Sequence, residues 1–331
     1  MEIAIAFLLC LPLVPLARGV GSALGMTDRP SETELKIHPR PISFLGGAAV
    51  VVATVATPLV LGKGIPPALL AAVAVSFAIG LVDDVRPLPP AARVALLSGS
   101  GALVAIWIRP EVLGAAVGIG VVALVLASAN AVNLLDGQDG LVGGLGAIAA
   151  AGLAELLLDS GGSRGAALAL SLCGALLAFL AWNRPPASIS LGNGGAYAVG
   201  TALAIAAADL ALRGGWTGLL AAGACLGVLA FELIFTVARR LASRNGVASG
   251  DRLHSYDLVA SRWGRVKSMI LFWTLGAAAA GLGVLVQATP SPVGTVIVGC
   301  ASAAATAWGV RLWLERPRNE ALGGTTREEG R

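Results

Sequence analysis

Apolar positions in this chain come in long runs separated by short polar stretches. Eleven runs stand out, at about 2–18, 44–62, 66–82, 93–108, 112–129, 141–158, 165–182, 195–212, 217–237, 267–287 and 293–314. A bilayer core of about 30 Å needs roughly 20 residues of helix to cross it, and these runs are of that order. The pattern predicts an all-α, polytopic membrane helical bundle with about 10–11 transmembrane helices. No stretch reads as a soluble domain, so residues 1–314 are expected to form one integral-membrane domain. The charged tail 315–331, with Gly323-Gly324-Thr325-Thr326, is expected to be a disordered cytoplasmic extension.

Composition agrees with the pattern. Hydrophobic residues make up 56% of the chain, charged residues 13%, and mean hydropathy is +0.82. Soluble domains carry about 25% charged residues. Alanine and glycine are abundant, as in membrane bundles whose helices pack closely.

Charge then orients the bundle. Alternating the loops across eleven spans places nineteen of the 23 Lys and Arg on one side and leaves four, Lys63, Arg109, Arg164 and Arg213, on the other. The positive-inside rule makes the first side cytoplasmic, with the N-terminus outside and the C-terminus inside. The net charge of +4 therefore reflects loops beside anionic lipid and calls for no nucleic-acid partner. The chain begins Met1-Glu2 without a basic n-region, so its first run reads as a span rather than a signal peptide. Cys10, Cys173, Cys225 and Cys300 each lie inside an apolar segment, without metal-ligand spacing, and read as small packing residues.

The polar material concentrates in five predicted inside loops, at about 19–43, 83–90, 130–140, 183–195 and 238–266. Four carry candidate chemistry. Asp83-Asp84 ends one apolar run, and adjacent carboxylates repel unless a cation sits between them. Asn130, Asn133, Asp136 and Asp139 recur every third residue after another run, with Gly137 and Gly140 expected to end the helix and turn the carboxylates into a loop. Trp182-Asn183-Arg184-Pro185-Pro186 precedes Leu191-Gly192-Asn193-Gly194-Gly195, whose backbone N–H groups at a helix start are expected to suit phosphate. Gly250-Asp251-Arg252-Leu253-His254-Ser255-Tyr256-Asp257 brings Arg and His, which can clamp a diphosphate. The only other histidine, His38, follows Lys36 in the first inside loop. Because Asp83, Asp84 and Asp139 read as loop residues, removing their charge is expected to affect chemistry more than packing.

Taken in order on one membrane side, these motifs resemble the polyprenyl-phosphate N-acetylhexosamine-1-phosphate transferases. The resemblance runs over about 28–260, is similar to an actinobacterial-looking branch ending His254-Ser255-Tyr256-Asp257, and includes Asp28-x-Pro30, Lys36-x-His38 and Gly46-Gly47. It implies transfer of a sugar 1-phosphate from a UDP-N-acetylhexosamine to a polyprenyl phosphate lipid, with release of UMP, at the cytoplasmic face of the cell membrane. A homodimer is compatible with it. The implied cofactor is Mg²⁺, with Mn²⁺ as the alternative. By resemblance Asp83, Asp84 and Asp139 are catalytic, while Asp84, Asp136 and Asn193 hold the metal. Lys36, His38, Asn130, Asn133, Asp136, Arg252 and His254 contact substrate.

Three departures from the family pattern stand out. Asn193 stands where a metal-binding Asp is usual, keeping an oxygen but losing a charge. Phe44 stands at an Arg position, and Tyr256 and Asp257 replace part of a histidine cluster, which favours a plain UDP-N-acetylhexosamine over a pentapeptide-bearing one. The alternative reading is a member that has lost catalysis and binds lipid or a partner. A transporter would place polar groups near mid-span, whereas here they sit at span ends. A CDP-alcohol phosphotransferase would need an Ala-Arg that does not follow Asp136-Gly137.

Overall fold

The computed structural model describes residues 1–28, 41–108, 114–242, 253–289 and 291–315. Twelve helices account for most of them. In chain order they are α1 (Glu2–Ala23), α2 (Gly46–Val60), α3 (Pro67–Val85), α4 (Pro90–Ile108), α5 (Ala115–Leu135) and α6 (Leu141–Asp159). They continue with α7 (Ser163–Asn183), α8 (Gly192–Cys225), α9 (Gly227–Ala242), α10 (Ser255–Trp263), α11 (Arg265–Gln287) and α12 (Ser291–Leu314). Two short strands, β1 (Thr27–Asp28) and β2 (Ile42–Ser43), pair antiparallel with Thr27 opposite Ser43.

Among the described residues nine helices are long and apolar enough to cross a membrane, and the chain is a multi-pass membrane protein. The predicted run 44–62 becomes α2, apolar but only 15 residues long. The predicted eighth and ninth spans are not cleanly separate helices. α8 continues for 34 residues through Gly215, whose φ of 55° and ψ of −134° break the helical path without ending it. The apolar run 217–237 is then shared between the end of α8 and α9. Glycine tolerates that backbone conformation, and no polar linker marks the bend in sequence.

The core is organised around α8, whose residues from Gly194 to Leu210 are all buried. Small residues allow this. A Cβ on Gly80 of α3 would lie 2.3 Å from the Asn193 carbonyl oxygen. One on Gly200 would lie 2.5 Å from the Cα of Ala129 in α5. Backbones meet directly at these crossings, so the C-terminal ends of α3 and α5 are held against the N-terminal turn of α8. Ser76 and Thr201 add a hydroxyl pair at 2.7 Å across the same α3–α8 seam. The outer helices α1, α11 and α12 leave large apolar side chains such as Leu16, Ile270 and Val296 uncovered, as lipid-facing surfaces should be.

The loops complete the same end of the bundle. Ser43 pairs with Ile189, and Gly46 and Gly47 donate backbone N–H groups to Ser190 and Leu191 carbonyls at 3.0 Å each. The segment before α2 is thereby stitched to the segment before α8. Buried Asn183 accepts from Gly140 N–H at 2.9 Å and donates to the Ile189 carbonyl at 2.9 Å, tying the α5–α6 turn to that loop.

Candidate active site

Helix ends supply the site. α3 runs on through Asp83 and Asp84 to Val85, and Asp136 caps the C-terminus of α5. Gly140, at φ +74°, turns the chain into α6, so the glycines end α5 as the sequence implies. Gly192, also at φ +74°, opens α8 where a Cβ would lie 2.9 Å from Asp84 Oδ2. Glycine is required there on both counts.

The first turn of α8 has unpaired N–H groups and the positive end of the helix dipole. Asp84 takes two of these donors, Asn193 N–H on Oδ1 at 2.9 Å and Gly194 N–H on Oδ2 at 3.1 Å. The Gly192 N–H lies near Asp136 and favours its charged form. This corrects the expectation that these N–H groups cradle a phosphate. The protein's own carboxylates already occupy them, and the carboxylates are what the site presents.

The adjacent aspartates differ. Asp83 is buried, and its Oδ1 accepts Leu88 N–H at 2.7 Å. Its Oδ2 accepts Tyr197 Oη–H at 3.1 Å and Asn193 Nδ2–H at 3.3 Å, and lies 3.5 Å from Arg93 Nη1. An oxygen has two lone pairs, so Oδ2 with three partners is saturated and Oδ1 has one partner. Asp83 joins α3, α4 and α8 and is not the solvated loop group read from sequence. Asp84 is half-buried and uses one bond per oxygen, which leaves acceptor capacity for a ligand.

Asn193 sits between the two polar ends. Its Oδ1 accepts from Asn133 Nδ2 at 2.5 Å, and its Nδ2 donates to Asp83. Asp136 lies beside them at the C-terminus of α5. Its carboxyl is held well above the usual carboxylate range, chiefly by burial and then by the charges of Asp84 and Asp139, with the Gly192 N–H opposing the rise. Asp139 accepts Ala187 N–H on Oδ2 at 2.9 Å and thereby braces the loop before α8.

The structure thus brings together Asp83, Asp84, Asn133, Asp136, Asp139 and Asn193. Asn130 lies one turn back on α5, where its amide donates to its own helix at Leu126. His254 lies at the N-terminus of α10 and contacts α9 rather than the carboxylates. Lys36, His38 and Arg252 lie outside the described residues. Sequence reasoning missed Tyr197 and Arg93, which bind Asp83, and buried Glu232, which binds His254. Glu232 did leave a signal, since a carboxylate inside an apolar run is costly without a purpose.

A hard divalent cation fits this donor set. Asp84 and Asp136 are like charges whose mutual repulsion a cation would relieve, and Asn193 Oδ1 adds a neutral oxygen. Among the described residues no group of three His, Cys, Asp or Glu side chains is arranged to hold a metal.

Residues 66–211 match the profile of Glycosyl transferase family 4. A phospho-N-acetylmuramoyl-pentapeptide-transferase of Geobacillus thermodenitrificans is 31% identical over 176 residues, 53% of each chain. The chain spans about half the length of the pentapeptide-transferase relatives it matches. Longer matches join it to an undecaprenyl-phosphate alpha-N-acetylglucosaminyl 1-phosphate transferase of Thermotoga maritima, 28% identical over 74% of this chain and 76% of the relative. A "Probable undecaprenyl-phosphate N-acetylglucosaminyl 1-phosphate transferase" of Bacillus subtilis is 26% identical over 83% and 82% respectively. The matched region contains every carboxylate and amide of the cluster from Asp83 to Asn193.

Proposed function

We propose that this protein transfers an N-acetylhexosamine 1-phosphate from a UDP-sugar to a polyprenyl phosphate at the cytoplasmic face of the plasma membrane, releasing UMP. The observation that carries this reading is the convergence of Asp84, Asp136 and Asn193 on the N-terminal turn of α8, at one end of a membrane bundle. The names of the relatives support a polyprenyl phosphate acceptor and an N-acetylglucosamine-type donor. The nineteen-to-four distribution of basic residues supports a cytoplasmic site, where soluble nucleotide sugars are found.

Asp84, Asp136 and Asn193 Oδ1 are the groups that would hold Mg²⁺, which when bound would neutralise the diphosphate of the donor. Asp83 keeps α3, α4 and α8 in register so that Asp84 faces the reacting phosphates. With lone pairs to spare, Asp84 is the better placed of the pair to meet the attacking lipid phosphate. Asn133 holds the Asn193 side chain in one orientation, and Asp139 fixes the loop that closes this end. Lys36, His38, Asn130, Arg252 and His254 complete the proposed substrate contacts. The test is UMP release by purified protein supplied with Mg²⁺, a polyprenyl phosphate and a panel of UDP-sugars. Release dependent on both lipid and UDP-N-acetylhexosamine supports the reading, and no release with any sugar rejects it.

One observation favours a second reading. Asn193 is engaged by Asn133 and Asp83 as a structural bridge, so the amide could serve packing in a member that has lost transfer and retains lipid binding. That reading expects polyprenyl phosphate binding without UMP release.

A further inference from the structure

Glu232 lies within α9, fully buried, where an unpaired carboxylate would be strongly unfavourable. Three donors satisfy it. Oε1 lies 2.8 Å from His254 Nδ1 and 2.9 Å from Thr236 Oγ1, and Oε2 accepts the Ser255 hydroxyl. The imidazole is held on its face as well, stacked on Tyr256 with centroids 5.2 Å apart and planes inclined by 4°. Tyr256 is itself buried, and its hydroxyl donates to the Leu134 carbonyl at 3.0 Å. Leu134 stands two residues before Asp136. The ring is therefore fixed relative to α9 and linked through α10 to the α5 end that carries Asp136.

We propose that Glu232 is a positioning residue that fixes His254 with its Nδ1 proton toward the carboxylate and so presents Nε2 to the nucleotide sugar. A carboxylate on one ring nitrogen sets the tautomer and makes the other nitrogen the reactive one. Among the described residues Nε2 makes no hydrogen bond, whereas Nδ1 is engaged by Glu232 and Thr236. A plain helix-to-loop staple would need no imidazole, since Ser255 already joins α10 to Glu232. The other charged groups on the elements carrying this cluster are Arg239 and Arg240, both buried on α9, and Asp257 and Arg262 in the first and last turns of α10. The inference rests on the transferase reading, and it falls outside the matched family region, which ends at residue 211.

The chain has only two histidines, so ¹⁵N-histidine NMR of the full protein in nanodiscs gives two ring systems, with His254 assigned by its loss in His254→Gln. The expected result is a protonated Nδ1 in the wild type and a shift at Nε2 when UDP-N-acetylglucosamine is added. An Nε2-protonated neutral ring, or no response at Nε2, overturns the proposal. Glu232→Ala removes the acceptor facing Nδ1, so the Nδ1-protonated signal should give way to an Nε2-protonated ring and the Nε2 response to UDP-N-acetylglucosamine should be lost. Glu232→Gln, whose amide oxygen can still accept from Nδ1, should keep both signals and serves as the reading where the alanine variant does not fold. An unchanged tautomer in Glu232→Ala, or an Nε2-protonated ring in Glu232→Gln, overturns the proposal. Wild-type protein that shows the Nε2 response yet releases no UMP rejects the transferase reading while leaving the dyad in place.

Discussion

Asp83 and Asp84 are neighbours with opposite duties, and substitution should separate them. Asp83→Asn places an amide N–H among Leu88 N–H, Tyr197 Oη, Asn193 Nδ2 and Arg93, so one donor is left without an acceptor. The expected cost is about 1–3 kcal/mol of stability, visible as a lower unfolding temperature in detergent, together with lost turnover. Asp84→Asn keeps one oxygen for the α8 N-terminus and turns an amide N–H toward the other backbone donor at a half-buried position, so it should be destabilised less than Asp83→Asn, while turnover falls by about 100-fold or more. Equal destabilisation by both variants would contradict this division.

Asn193→Asp tests the departure at the metal position. A carboxylate there would place an oxygen 3.3 Å from Asp83 Oδ2, where the amide now donates a hydrogen bond. Without divalent ion the variant should be less stable than wild type. Mg²⁺ should then raise its unfolding temperature more than it raises that of wild type, because the extra charge strengthens binding to the folded state. The Mg²⁺ needed for half-maximal UMP release should fall. Robust wild-type turnover at low Mg²⁺, unchanged by the substitution, would show that the amide is no handicap.

At the scale of elements, the site depends on α3 and α5 reaching the backbone of α8. Gly80→Ala would drive a methyl group to 2.3 Å from the Asn193 carbonyl, against main chain that cannot turn aside. The expected loss is about 1–3 kcal/mol of stability, with turnover falling as Asp84 is displaced from the α8 N-terminus. Gly99→Ala is the control, since a Cβ at that α4 position meets nothing within 4 Å. Alanine should leave the unfolding temperature unchanged or slightly higher there. A similar loss in both variants would show that the close α3–α8 crossing is not what makes Gly80 intolerant of a side chain.

For the whole molecule, sidedness is the open prediction. In a Cys300→Ser background, where the remaining cysteines are buried, Arg86→Cys beside the acidic pair should react only with reagents that reach the cytoplasm. Arg213→Cys, exposed just before the Gly215 break in α8, should react from outside. Labelling of both from the same side would dismantle the charge-based orientation.

The sequence by itself determined the membrane class, the helical architecture, most span positions and the motif residues at their ends. Those follow from local quantities, namely run length, charge at a run's boundary and glycine after a helix. Only the tertiary structure decided how the groups divide their labour. That Asp83 Oδ2 is crowded by three partners while each Asp84 oxygen has one depends on Tyr197, Asn193 and Arg93, which approach from two other helices. The α8 N–H groups, legible as a phosphate cradle, prove to be occupied because Asp84 and Asp136 arrive there first. Glu232 was visible as a charge in an apolar run, but its meaning depended on His254, which reaches it from 22 residues along the chain. Hydrogen-bond capacity is shared among residues far apart in sequence, and no periodicity along the chain records which partner takes it.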